Sequence, residues 1–240
     1  ALNEALATVE QGLVVFFDDD VRLSPGVLVA YAEAAAEYPE HGAYFGGPFG
    51  VDYEERPPEW LIPLLPWSAR GLNLKTGPKA PFYLGFNWAA FTSDIHKTGG
   101  FNPNYGPGSP IGAGGQETNM QRRMRDLHIE GVDVLDAHVW HYVPRQSCTP
   151  DWALQRAYRA GLTRGVEARR RRRTRFMLQQ VKRVTLALPD VVPHLLRRDS
   201  PEWYKAVIPI AWPLAIIRAY VRPPRPALQE SKRLEGTETP

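Results

Sequence analysis

Residues 13–17 form an unbroken apolar run, Leu-Val-Val-Phe-Phe, and the next three residues are aspartates, Asp18, Asp19 and Asp20. A run this short and apolar, stopped by charge, is the pattern of a strand buried on both faces, as in a parallel sheet. The pattern predicts an α/β fold, with the carboxyl end of the strand opening into the crevice where such sheets take ligands. Three adjacent carboxylates at that mouth repel one another unless something positive sits among them. A hard divalent cation with oxygen ligands, shared with substrate phosphates, meets that demand. An acidic loop or helix cap is the alternative without a ligand.

The 240 residues suffice for one large domain, or one domain with an appendage. Cys148 is the single cysteine, which excludes an intrachain disulfide and a cysteine-built zinc cluster, and fits a reducing compartment. No amino-terminal signal peptide is visible, and no stretch reaches the roughly 18 apolar residues of a spanning helix. The net charge of +3 hides a division. Residues 1–150 hold 10 Lys/Arg against 18 Asp/Glu, a balance of −8, and residues 151–240 hold 19 against 8, a balance of +11. The acidic front suits a metal site, and the basic rear suits an anionic surface such as membrane or nucleic acid.

Ser24 and Pro25 predict a helix start, as N-cap and first helical residue, with Val27, Leu28, Tyr31 and Ala35 as its apolar stripe. Residues 42–51 read as a strand breaking into a Gly-rich turn, 54–81 as a long ordered loop, and 82–92 as a strand. Gly99-Gly100-Phe101-Asn102 is a turn, and 105–115 a Gly-rich loop. Residues 118–127 read as a helix presenting Met120, Met124 and Leu127, ended by Gly131, with strand character at Val132, Val134 and Leu135. Beyond Pro150 the pattern is helical over 152–165 and 167–188, then apolar and proline-punctuated over 206–217. The tail over 223–240 reads as disordered.

Three segments in order resemble family 2 glycosyltransferases. The first, Val-Val-Phe-Phe-Asp-Asp-Asp-Val-Arg-Leu-Ser-Pro, is similar to the strand, turn and helix around that family's Asp-x-Asp motif. The second, Gly114-Gly115-Gln116-Glu117-Thr118-Asn119-Met120-Gln121-Arg122-Arg123, resembles its Gly-Glu-Asp-x-x-Leu-x-x-Arg motif, with Glu117 where the Asp base usually stands. The third, His141-Tyr142-Val143-Pro144-Arg145 followed by a Tyr/Arg helix, resembles its His-x-Val-Pro segment. Gly85-Phe86-Asn87-Trp88-Ala89 is similar to a segment near the acceptor site.

The resemblance implies a mixed, Rossmann-like sheet of the glycosyltransferase A (GT-A) type over residues 1–150. It implies truncation at the N-terminus, because the family places two or three nucleotide-binding strands ahead of the acidic motif. A basic helical appendage over 151–222 follows. The implied activity is metal-dependent, inverting transfer of a sugar from a nucleotide-sugar donor to a hydroxyl on a glycan or lipid-linked acceptor. Glu117 would be the catalytic base; Asp20 and His141 would hold Mn²⁺ or Mg²⁺; Asp18, Asp19 and Arg145 would bind donor; and Asn87, Trp88 and Gly115 would bind acceptor. His141 stands open to a structural reading, as does Trp88 to core packing. The arginine run 169–173, with residues 206–217, suits the cytoplasmic face of an anionic membrane better than nucleic acid, since no aromatics interleave it. The implied location is cytoplasmic, peripheral on the inner membrane face. The rival reading is a membrane-associated scaffold that keeps the fold without catalysis.

Overall fold

Over residues 2–73, 82–106, 114–194 and 197–223, which the computed structural model describes, the chain is mixed α/β, with seven strands in two mixed sheets and seven α-helices. The first sheet has the order β1-β5-β3-β6, formed by Leu13–Phe16 (β1), Trp88–Phe91 (β5), Ala43–Gly46 (β3) and Glu130–Asp133 (β6). The second has the order β2-β7-β4, formed by Val21–Leu23 (β2), Val139–Val143 (β7) and Phe49–Tyr53 (β4). In each sheet one pairing is parallel, β3 with β6 and β7 with β4; the remaining pairings are antiparallel. Three times, at β1 to β2, β3 to β4 and β6 to β7, the chain leaves the first sheet and enters the second. The acidic triplet occupies the first of these crossings.

The first sheet is covered on both faces because its strands carry apolar groups on both. Phe45 packs with Val27 and Tyr31 on one face, while its neighbour Tyr44 packs with Met120 and Met124 on the other. The covering elements are Val27–Ala36 (α2) on one side, and Leu2–Leu6 (α1), Thr92–Lys97 (α3) and Gln116–Asp126 (α4) on the other. Each large side chain removed from water here contributes about 1.5–3 kcal/mol. Gly46 and Gly47 make the β3–β4 crossing possible. A Cβ on Gly46 would stand 1.9 Å from the Tyr83 ring, and one on Gly47 would stand 1.8 Å from the Ala137 carbonyl.

The rear of the chain is three helices, Pro150–Arg170 (α5), Thr174–Val191 (α6) and Pro201–Val221 (α7). Thr149 caps α5 and Ser200 caps α7, each accepting from the third residue on. The closest helix pair is α5 with α7. A Cβ on Gly161 would lie 2.3 Å from the Trp212 carbonyl, and one on Gly165 2.5 Å from that of Ile216. A third core, with Leu61, Leu65, Val143, Cys148, Tyr204 and Ile208, joins α7 to β7 and to the loop after β4.

Several expectations from sequence need correction. Strand β1 is antiparallel to β5 and half-buried, because among the described residues it pairs on one side alone. Helix α2 begins at Val27 with Gly26 as its cap in the left-handed region, φ 82°; Ser24 Oγ makes no cap bond, and Leu28 faces solvent while Ala30 packs inward. The strand expected over 82–92 is confined to β5. Residues before it turn instead, and the Gln121 side chain takes the place of a neighbouring strand, accepting from Tyr83 N–H and donating to Tyr83 C=O. Helix α4 ends before Leu127, which is exposed, and His128 at φ 62° turns the chain, so Gly131 is free to sit within β6.

Helix α5 runs through Gly165 to Arg170, and the break falls at Arg172, φ 50°. By length and composition α7 is long and apolar enough to cross a membrane, its two internal prolines and Lys205 having masked this in the sequence. Parts of the expected loops, 74–81 and 107–113, and the expected disordered tail from 224 on, lie outside the described residues.

Candidate active site

Register places the acidic triplet against β7. Strand β2 pairs Val21 with His141, so Asp20, one residue earlier, falls opposite Tyr142, whose N–H donates to the Asp20 carbonyl at 2.9 Å. The Asp20 carboxylate then reaches the His141 ring, with Oδ2 3.6 Å from Nε2. The other ring nitrogen, Nδ1, lies 2.9 Å from the Ser68 carbonyl oxygen, an atom that only accepts. Nδ1 must therefore carry a proton, and Nε2 is the ring atom that faces Asp20. Phe86 stacks on the imidazole at 4.5 Å and 10° and fixes its plane. A backbone carbonyl orienting the far nitrogen and an aromatic face holding the ring is the support that metal-binding histidines receive.

Asp18 and Glu117 form the second half of the site. Glu117 lies in the first turn of α4, whose cap Gly115 takes φ 80°, and its carboxyl rests against Gly85, where a Cβ would meet it at 3.6 Å. Burial pushes the Glu117 carboxyl above the ordinary range. The Glu117 N–H and the Thr118 hydroxyl hold it down, the Asp18 charge pushes it up, and Arg156 of α5 pulls it down. Asp18 is raised as well, by burial first and then by Asp20, with His141 opposing and Asp19 adding. Each carboxyl thus sits in a field made by the others. Such an arrangement is typical of functional sites.

The rest of the triplet, Asp19 and Asp20, lines an open groove of about 490 Å³ with Val21, Arg22, Asp52, Trp140 and Tyr142. Its wall is built by Arg22, which lies 4.1 Å over the Trp140 ring and bonds both Asp52 oxygens, at 3.0 and 3.2 Å.

From the sequence-predicted set the structure pairs Asp20 with His141 and sets Asp18 within electrostatic reach of both and of Glu117, with Asp19 on the groove. It gives others different surroundings. Asn87 is 1% exposed, accepts from the Tyr31 hydroxyl at 2.8 Å and donates to the Pro48 and Ala137 carbonyls at 3.0 and 2.9 Å. It locks the two crossings around β3 and β7 to α2. Trp88 is 1% exposed and stacks on Phe16 at 4.5 Å. Arg145 is at the surface, 2.9 Å from Glu55, with its N–H on Glu54. His138 packs edge-on to Trp140, and burial and Arg22 lower its pKa.

Sequence reasoning gave no role to Ser68, Arg22 or Trp140, and took Gly85 and Phe86 only as part of a segment near the acceptor site. Ser68 acts through its backbone and carries no side-chain signal. The Arg22–Asp52 pair spans 30 residues and depends on two strands meeting β7 from opposite sides.

Among the described residues, no group of three His, Cys, Asp or Glu side chains stands close enough to hold an ion unaided. Asp20 with His141 would supply two ligands at most, so an ion there would need substrate phosphates and water to complete its shell. Neither a protein-family model nor a curated protein matches this chain.

Proposed function

We propose that this chain carries the catalytic centre of a metal-dependent glycosyltransferase with a fold of the GT-A type, transferring a sugar from a nucleoside-diphosphate donor to a hydroxyl acceptor. The observation that carries the reading is that Asp18, just past the end of β1, lies in the field of the Asp20–His141 pair and itself acts on the raised carboxyl of Glu117. A metal-and-base pair of this kind is what such a transfer needs. Asp20 and His141 would hold the divalent ion, Mn²⁺ being the better match for a mixed oxygen and nitrogen set, and the ion would neutralise charge on the departing diphosphate. Asp18 and Asp19 line the approach for the donor's ribose.

Glu117, once ionised, takes the proton from the acceptor hydroxyl as its oxygen attacks the anomeric carbon and the bond to the diphosphate oxygen breaks. Its raised pKa makes it a stronger base than a solvated carboxylate. The aromatic and guanidinium wall at Trp140 and Arg22 offers a face for a flat or sugar ring along the same groove. Inversion of the anomeric centre belongs to the family resemblance.

The test is calorimetric titration of UDP and GDP into the chain with and without Mn²⁺, with Asp20→Ala as control. Metal-dependent binding that the substitution abolishes supports the reading and identifies the nucleotide. Binding that ignores Mn²⁺ or survives Asp20→Ala removes Asp20 from the donor site.

A further inference from the structure

Helix α6 shows two apolar faces. One, with Phe176 edge-on to Trp212 at 6.4 Å and the buried Gln180 and Val191, packs on α7. The other carries Leu178, Val181, Leu188 and, just past its end, Val192, which are 39% to 56% exposed. Their spacing, with Thr185 between, keeps them in one stripe of a helical surface. The apolar segment 206–217, which the sequence offers as a membrane contact, instead turns Ile208, Ala211, Ala215 and Ile216 into the protein.

Charge surrounds this stripe. Residues 169–198 hold nine arginines and one lysine against one acid, Asp190. Arg173 caps α6, Arg175 lies in its first turn, and no acid stands there, so cations crowd the positive end of the helix dipole. Arg172, Arg173 and Arg175, with Thr174, Phe176 and Gln179, line an open groove of about 530 Å³, and none of the three arginines has a carboxylate partner among the described residues. This arrangement is unfavourable by itself and is relieved by anions.

We propose that α6 lies in the plane of an anionic lipid bilayer, its stripe of Leu178, Val181, Leu188 and Val192 sunk to the acyl boundary and Arg172, Arg173 and Arg175 among the headgroup phosphates. Its length of about 27 Å suits an in-plane helix, and Lys182 beside the stripe reaches back to the headgroups. A second copy of this chain is a poorer occupant, because stripe-to-stripe pairing sets basic residues against basic residues at both ends. Nucleic acid makes no use of an aliphatic stripe. The inference rests on the rear helices alone and is independent of the transferase reading.

Flotation of the full chain with phosphatidylcholine vesicles, with and without about 30% phosphatidylglycerol, tests it. The chain floats with the anionic vesicles alone, and added salt weakens binding. Leu178→Asp with Leu188→Asp lowers partitioning at least tenfold, as does Arg172→Glu with Arg173→Glu, with helical circular dichroism unchanged. A polarity-sensitive dye placed through Leu188→Cys shifts its emission to the blue on anionic vesicles, Cys148 being buried against labelling. Unchanged flotation of the Leu178/Leu188 variant overturns the proposal. So does a dimer in solution that the same variant dissociates, or binding to single-stranded RNA without binding to vesicles. Resistance of vesicle-bound chain to alkaline extraction points to a spanning helix and overturns the in-plane placement.

Discussion

Glu117 is costly to ionise where it sits, and this sets both its chemistry and its stability signature. Its folded pKa lies above its unfolded value, so the folded state binds the proton more tightly. Stability conferred by the protonated form is present at low pH and declines as pH rises from the unfolded pKa through the raised folded one. Glu117→Gln removes that penalty. The melting temperature should rise at pH 7 and stay unchanged at pH 4, while the proposed transfer activity should fall by about 10²–10⁴. Activity of the parent should climb with pH along an acid limb lying above the ordinary glutamate range; a limb at that ordinary range would contradict the burial argument.

His141→Ala should weaken Mn²⁺ binding in the presence of diphosphate by roughly 10- to 100-fold, read by electron paramagnetic resonance. Asn87→Ala should do something different. It strands two carbonyls and a tyrosine hydroxyl in the core and should cost roughly 2–4 kcal/mol in urea denaturation without changing Mn²⁺ affinity.

At the level of elements, packing is decided by where Cβ atoms are missing. Helices α5 and α7 touch through Gly161 and Gly165, with the Trp212 and Ile216 carbonyls in the space two side chains would fill. Backbone cannot move aside as a side-chain tip can, so Gly161→Leu should force the helices apart and cost at least about 1–3 kcal/mol. The measurement is the urea midpoint, with Gly114→Leu as a control where a Cβ would meet nothing. The same reasoning explains why α5 passes through both glycines. Helix propensity argued for a break at Gly165, and the close approach of α7 outweighed it. Strand β5 is the reverse case, where β-forming residues 82–87 were available but the Gln121 amide claimed the Tyr83 backbone.

On the scale of the whole molecule, one carboxylate ties the front to the rear. Glu167 of α5 is 8% exposed and accepts from Arg122 of α4 and, at 2.6 Å, from Arg164, with Arg171 3.5 Å away. Arg122 also lies over the Phe82 ring at 5.5 Å, near the residues that seat Glu117. Removing one member of a buried ion pair leaves its partner uncompensated and costs about 3–5 kcal/mol. Glu167→Ala should therefore lower the melting temperature by several degrees and slow transfer, because α4 loses its anchor to α5. Activity at wild-type level in a destabilised Glu167→Ala chain would show that the rear helices do not position Glu117, the proposed base.

The sequence by itself determined the α/β class, the acidic mouth of β1, the placement of Glu117 in the first turn of a helix, and the helical, basic character of the rear. These are local properties, written in apolar runs, glycines and charge counts. Tertiary structure decided which candidates meet. Asp20 and His141 lie 121 positions apart in the chain and come together because β2 and β7 share one register. Asn87 and Trp88, adjacent to the same turn, are drawn into the core by partners from α2, β1 and two crossings. Burial raised the pKa of Glu117, and α6, packed on α7 through Phe176, keeps its other apolar face toward solvent. Each of these outcomes depends on contacts between distant segments, whose energies no local pattern encodes.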